Sequence, residues 1–314
     1  MPSTSDTHSD PTFRHYHASQ AVSYAKARGS YSSELYSIVL AYHSSTSGAF
    51  DTLLDVGCGP GNATRDLASY FLHASGTDPG AEMINEARRN GDDKVTASGE
   101  PITFFVGAAE QIAEKVKDSS VDLLVAAMAA HWFDMKGFWD AAARAVKPGG
   151  TVALWTQASL YCHPATTNAS AVQKVLFHLE EDLLGPHELP PNRISRTIYD
   201  SLLLPWNTTP PIEPFPASSY IRYEWDRDGI LTNGEDFFGG SKETTLGELE
   251  KSLSTASMVT RWRQAHPDLV GTEMDCVRST MMDIGLAMGV DKSSIPATKI
   301  RTGHATVLLL FKRA

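Results

Sequence analysis

Leu53-Leu54-Asp55-Val56-Gly57-Cys58-Gly59-Pro60-Gly61-Asn62-Ala63-Thr64 is the stretch on which the fold of this chain turns. Leu53, Leu54 and Val56 make an apolar run with an acidic residue near its end, and the run enters a glycine-dense turn directly. A helix-compatible segment follows from Ala63 to Phe71. Strand, tight turn and helix N-terminus in that order bring backbone N–H groups and a helix dipole to a nucleotide-like ligand. The glycines fall at Gly57, Gly59 and Gly61, with asparagine at position 62. A dinucleotide fingerprint needs G-x-G-x-x-G, so the third glycine comes one residue early. Small residues at 57, 59 and 61 let backbone touch a ligand, and Asp55 can accept hydrogen bonds from a cationic group. Asp78 closes the next β-type run, about 17–20 residues on, where a carboxylate accepts both hydroxyls of a ribose.

Outward from this turn the periodicity alternates. Ala18–Tyr42 carries apolar and aromatic residues at helical spacing, broken at Arg28-Gly29-Ser30, and predicts two short helices. Strands are predicted at Leu53–Val56, His73–Thr77, Ile102–Val106, Val121–Ala127 and Thr151–Trp155. Helices are predicted at Ala63–Phe71, Glu82–Arg89 and Phe138–Val146, the last stopped by a type II-like turn at Lys147-Pro148-Gly149-Gly150. Near-continuous apolar strands alternating with helices predict an α/β fold, a parallel sheet covered on both faces. The rhythm changes near Gln157. Residues 158–218 hold scattered prolines and short helical patches, Tyr220–Trp225 is β-type, 242–290 is largely helical in pattern, and Ala305–Phe311 is an apolar closing strand.

Composition narrows the partners. The formal net charge is -10, and no Lys/Arg run overrides it, so contact with a nucleic-acid backbone is disfavoured. Cys58, Cys162 and Cys276 lie far apart without a C-x-x-C, so neither a disulfide framework nor a metal site is expected. No apolar run approaches the roughly 18–20 residues that span a bilayer. Residues 1–11 lack the apolar segment of a secretory signal and read as a disordered tail. The expectation is a cytoplasmic protein with a small-molecule substrate, a monomer or weak dimer.

A third motif stands beside the glycine turn and Asp78. Ala129-Ala130-His131-Trp132-Phe133-Asp134 leaves the fourth strand, placing a titratable imidazole and an indole at the end of the sheet where ligands bind. His131 is the candidate catalytic base, and with Trp132 a candidate contact for the substrate. Arg193 is a candidate partner for an acceptor carboxylate, since a guanidinium binds carboxylates bidentately. His187 and Trp262 are further candidates for the substrate pocket. Each has a plain structural alternative: a satisfied buried histidine, a surface arginine, a helix-core tryptophan.

At these residues the chain resembles the class I S-adenosylmethionine-dependent methyltransferases, type 11 group. The glycine turn, Asp78, Gly107-Ala108-Ala109-Glu110 and the helix–Lys147-Pro148-Gly149-Gly150–strand unit match that family's motifs in order and spacing. More narrowly it is similar to fungal trans-aconitate methyltransferases, at Leu53–Thr64, Ala130–Asp134, and Gly185-Pro186 followed by Arg193. The resemblance implies a Rossmann-like, seven-stranded, mostly parallel sheet whose last strand is antiparallel, with helical insertions in the C-terminal half. It implies N-terminal helices and a cofactor core over 12–160, substrate-side insertions over 161–300 with one core strand near 220–226, and a final strand in 301–314. The implied S-adenosylmethionine site comprises Tyr24, Arg28, Asp55, Gly57, Gly59, Gly61, Asp78, Pro79, Met83, Ala109, Glu110 and Met128. In it Asp78 takes the ribose, the glycine turn faces the methionine portion, Glu110 and Ala109 lie by the adenine, and Tyr24 and Arg28 close over the cofactor carboxylate.

The chain also departs from the narrower pattern. Gly29 replaces a proline, Ala108 replaces a side chain that bonds adenine, and Gly185-Pro186-His187-Glu188 stands for Gly-Pro-Tyr-Trp. A Trp-Ser pair aligns to Ala256-Ser257. Two lost indoles enlarge the pocket, which favours a bulkier acceptor, an organic acid or secondary metabolite methylated on oxygen. The rival readings are a methyltransferase-fold protein that keeps the cofactor without methylating, and an NAD-dependent oxidoreductase, which Asn62 disfavours.

Overall fold

The computed structural model describes residues 17, 21–22, 24–25, 29–90 and 94–314. The predicted tail at 1–11 and Arg28 lie outside them. β1 (Thr52–Val56) pairs in parallel with β2 (His73–Asp78) on one side and β4 (Val121–Ala127) on the other. β3 (Thr103–Val106) extends the sheet beyond β2, and β5 (Val146–Cys162) extends it beyond β4, both in parallel. The order is β3-β2-β1-β4-β5-β8-β6, with β6 at Ile221–Trp225 and β8 at Lys299–Lys312. Gly149 and Gly150 bond Arg313, whereas His163 bonds Arg301, so β8 runs antiparallel to β5. The strand order reverses between β1 and β4, which is where open parallel sheets bind ligands.

Burial explains why the apolar runs became strands. Leu53, Leu54, Leu123, Leu124, Val125, Val152, Ala153 and Leu154 are fully buried, as both faces of a covered parallel sheet require. Asp122 is the exception, and its carboxylate is compensated by the Thr52 N–H at 2.8 Å and Lys147 Nζ at 2.9 Å. The covering helices start at identifiable caps. Ser32 caps α1 (Ser33–Ser45) by accepting from Leu35 N at 3.2 Å. The turn leads into α2 (Asn62–Ala68), and α3 (Ala81–Arg89) follows β2. A short α4 (Ile112–Lys115) follows β3, and Asp134 caps α5 (Met135–Ala145), which buries Phe138, Trp139 and Ala142.

Five expectations need correction. Lys147–Gly150 is not a separate turn before the fifth strand: it belongs to β5, as an irregularity that carries pairing from Val121↔Val146 to Leu123↔Thr151. β5 also continues to Cys162 instead of ending at Trp155, and β8 begins at Lys299, earlier than Ala305. The segment 242–290 opens with a strand, β7 (Lys242–Thr245), which pairs antiparallel with β8 beside the expected seven-stranded order. Charged and threonine residues hide this edge strand from an apolar-period reading. Finally, the helix expected to reach Val146 stops at Ala145, where Val146 turns extended.

The chain divides into two units. The first holds the described residues up to Thr156 together with 197–223 and 307–314; the second holds 157–196 and 224–306. In the second, α6 (Ala169–Phe177), α8 (Leu246–Leu253) and α10 (Cys276–Ala287) share a core of Val172, Leu176, Leu246, Leu249, Met281 and Ile284. It also carries α7 (Pro190–Arg196) and α9 (Ser257–Ala265). No helix among the described residues is long and apolar enough to cross a membrane.

Candidate functional site

The glycine turn hangs from the end of β2: Gly57 N and Cys58 N donate to Thr77 O at 2.8 and 3.0 Å. Its glycines serve different ends. A Cβ on Gly57 would stand 2.5 Å from the Ala129 Cβ, so the turn backs directly onto the histidine loop. At Gly59, with φ 53°, a Cβ would meet nothing within 4 Å among the described residues. That side of the turn is open, and its N–H is held by Asp78 Oδ2 at 3.0 Å. The second oxygen of Asp78 accepts from Gly80 N at 2.7 Å, so one carboxylate ties the turn to the start of α3.

Asp55 is fully buried beneath this turn. Thr64 donates to its Oδ2 at 2.6 Å, while Oδ1 is buried with no hydrogen-bond partner among the described residues. Burial, offset in part by the Thr64 bond and reinforced by the Asp78 charge, pushes its carboxyl up to about 7. An orphaned carboxylate oxygen beside an open glycine face fits a ligand that brings a cationic donor. The methionine end of S-adenosylmethionine is such a group.

The second half of the site follows β4. Met128 is left-handed at φ 51° and donates its N–H to Trp155 O at 2.9 Å, which turns the chain sharply into the helical turn 130–132. His131 there is 7% exposed, and burial lowers its imidazole to about 3, so the ring is neutral at physiological pH. Its Nδ1 lies 3.4 Å from Tyr199 Oη, and its ring is 5.1 Å from that of half-buried Trp132. Trp155 is fully buried, its indole N–H without a partner among the described residues, against the rings of Tyr31 at 5.4 Å and Tyr36 at 6.2 Å.

The remaining cofactor candidates frame the β2 and β3 ends. Thr77 Oγ1 donates to Gly107 O at 3.1 Å, and Ala109 is buried in the turn that follows β3. Glu110 Oε1 accepts the Asp134 N–H at 2.7 Å, binding the β3 loop to the cap of α5. Pro79 is half-buried, and Met83 on α3 is buried against Ala21 and Tyr24. Asp55, the three glycines, Asp78, Pro79, Ala109, Glu110, Met128, His131 and Trp132 thus lie at or just past the carboxyl ends of β1 to β4. Met83 stands one turn into α3.

His187, Arg193 and Trp262 belong to the second unit. Arg193 is three-quarters exposed and pairs with Glu188 at 3.2 Å, a carboxylate that Arg196 also approaches at 3.5 Å. Trp262 packs with Leu179, Leu184, Val259 and Val277 and stacks on His266 at 4.4 Å. His187 meets the same imidazole edge-on at 5.7 Å. Sequence reasoning missed Thr64, Trp155 and Tyr199. Thr64 was within reach, two residues into the helix after the turn; nothing in the proline-broken 158–218 stretch marked Tyr199.

Residues 54–154 match a family model described as a methyltransferase domain. A protein of Dictyostelium discoideum named as a methyltransferase is 31% identical over 134 residues, covering 43% of this chain and 46% of its own. The methyltransferase cfoB of Aspergillus candidus is 27% identical over 286 residues, covering 82% of this chain and 84% of its own. A Saccharomyces cerevisiae protein named as an S-adenosylmethionine-dependent methyltransferase is 26% identical over 136 residues, 43% of this chain and 45% of its own. The match thus spans about half the length of the first and third of these relatives. A solved structure from Anaeromyxobacter dehalogenans, described as a type II methyltransferase, superposes with TM-score 0.59 at 22% identity, covering 88% of this chain and 95% of that one. That likeness carries the fold. Residues 54–154 are thus similar to a methyltransferase domain.

Proposed function

We propose, from a methyltransferase domain at residues 54–154 as the premise, that the protein moves a methyl group from S-adenosylmethionine to an oxygen of a small organic acid or secondary metabolite. The observation that carries this reading is the contact between Gly57 and Ala129, which sets the histidine loop against the glycine turn. The cofactor, when bound, supplies an electrophilic methyl group on a sulfonium. Asp78 would take the ribose hydroxyls, Asp55 would receive the α-ammonium group, and Ala109 and Glu110 would flank the adenine. Tyr24, Pro79, Met83 and Met128 would line the same site.

The chain's own contribution to transfer is placement. Holding an acceptor oxygen in line with the methyl carbon at attack distance contributes several kcal/mol to lowering the barrier. A carboxylate acceptor arrives ionised and needs no base. A hydroxyl acceptor needs a site for its proton, and neutral His131 provides a lone pair for it. Arg193, three-quarters exposed and paired with Glu188, would be the contact for an acidic acceptor.

The loss of two indoles at His187-Glu188 and Ala256-Ser257 supports an acceptor larger than trans-aconitate. Incubation with radiolabelled S-adenosylmethionine and a panel of acids and phenols of rising size tests the reading. The expected result is label on the larger compounds. Turnover of trans-aconitate at the rate of the larger acids argues against a bulky acceptor, and cofactor binding without any labelled product argues against methyl transfer altogether.

A further inference from the structure

Tyr199 belongs to none of the sequence motifs, yet its side chain is 2% exposed and its hydroxyl reaches the histidine turn. Oη donates to Trp155 O at 3.3 Å and stands 3.4 Å from His131 Nδ1. The main chain is contorted to deliver this ring: Ile198 and Tyr199 are both left-handed, at φ 42° and 65°. Two such non-glycine residues persist only where their surroundings over-determine them. Arg222 does so, donating to Ile198 O at 2.8 Å and Tyr199 O at 3.5 Å while pairing with Asp200 at 2.8 Å.

We propose that Tyr199 is a positioning residue that holds His131 in the Nδ1–H form, leaving Nε2 as a hydrogen-bond acceptor that selects a hydroxyl on the methyl acceptor. A carbonyl oxygen can only accept, whereas an imidazole nitrogen either donates or accepts. The chain Nδ1–H to Tyr199 Oη, then Oη–H to Trp155 O, turns both contacts into hydrogen bonds. The reverse direction, with Oη donating to Nδ1, leaves the shorter contact to Trp155 without a proton. The bond made by one ring nitrogen sets the state of the other. Among the described residues the side-chain hydrogen bond of His131 is made by Nδ1, to Tyr199, and none is made by Nε2. Its lone pair attracts an alcohol or phenol O–H and repels a carboxylate, which carries no proton at neutral pH. This rests on the methyltransferase reading and narrows its acceptor oxygen to a hydroxyl.

Nitrogen-15 NMR of histidine-labelled protein, with the His131 signals assigned by their loss in His131→Gln, reads the tautomer in the free enzyme. The expected result at neutral pH is a protonated Nδ1 and a bare Nε2. Tyr199→Phe should lose that preference while retaining S-adenosylhomocysteine affinity, an outcome that a merely structural role would not give. A protonated Nε2 in the wild-type protein, or an unchanged tautomer in Tyr199→Phe, overturns the proposal. If Tyr199→Phe does not fold, the wild-type spectrum decides. With S-adenosylhomocysteine present, phenol should shift the Nε2 resonance and benzoate should not; a shift with benzoate, or with neither, overturns the selection of a hydroxyl. A wild-type protein that binds no S-adenosylhomocysteine instead sinks the methyltransferase reading and leaves the tautomer result standing.

Discussion

Two neighbouring glycines separate packing from ligand access. Gly57→Ala forces a Cβ into Ala129 from a left-handed backbone, and overpacking of that kind costs about 1–3 kcal/mol before the backbone term is added. Gly59→Ala meets open space, so its stability cost is the backbone term alone, about 1–2 kcal/mol. Thermal melts should therefore fall further for Gly57→Ala, whereas calorimetry with S-adenosylhomocysteine should show the larger loss of affinity for Gly59→Ala. Equal loss of affinity at equal stability would count against the open face being the ligand side.

Asp55 and His131 pull stability in opposite directions with pH. Asp55 is raised from 3.8 to about 7 in the fold, so the folded state holds the extra proton and stability falls as pH rises through that window. His131 is lowered from 6.5 to about 3, so the unfolded state holds the extra proton and stability rises with pH between those values. Asp55→Asn removes the first effect, and its melting temperature should climb more steeply from acid to neutral pH than that of the wild-type protein. A cation at Oδ1 lowers the Asp55 carboxyl again, so binding of S-adenosylhomocysteine below neutrality should release a proton. Calorimetry in buffers of different ionisation enthalpy counts that proton, and a count of zero contradicts the ammonium assignment. His131→Ala should lower kcat by about 10²–10⁴-fold if the ring takes a proton, and a change mainly in KM marks a binding role instead. Because the ring stays neutral far below its usual range, kcat/KM should show no histidine inflection between acid and neutral pH.

At the scale of elements, the legible parts were those with one dominant local cause. β1, β2 and β4 follow from unbroken apolar runs, and the turn after β1 follows from three glycines that all adopt positive φ. The misread parts had competing causes. Lys147–Gly150 has turn chemistry, with Gly149 at φ 77°, yet both its flanks pair with the sheet. β7 is polar on an edge and has no period to betray it. The 197–200 segment is fixed by Arg222, more than twenty residues away, a tertiary cause that no local reading contains. Arg222→Met keeps the stem and removes the guanidinium, leaving the Ile198 and Tyr199 carbonyls short of donors. A loss of about 1–3 kcal/mol in urea unfolding is expected.

On the scale of the whole molecule, the first unit carries the residues that match a methyltransferase domain and both halves of the candidate site, and the second carries Arg193, His187 and Trp262. The sequence made the donor legible because cofactor recognition is written in short, contiguous motifs at strand ends. The acceptor was not legible because its candidate contacts are single residues scattered through irregular insertions. There the structure finds an ion pair at Arg193 and a packed core at Trp262.

The most direct measurement is a calorimetric titration of the wild-type protein with S-adenosylhomocysteine and, separately, with NAD. Saturable binding of S-adenosylhomocysteine at micromolar or tighter affinity, weakened in Gly59→Ala, and no binding of NAD are expected. Binding of NAD, or no binding of S-adenosylhomocysteine, would contradict the methyltransferase reading.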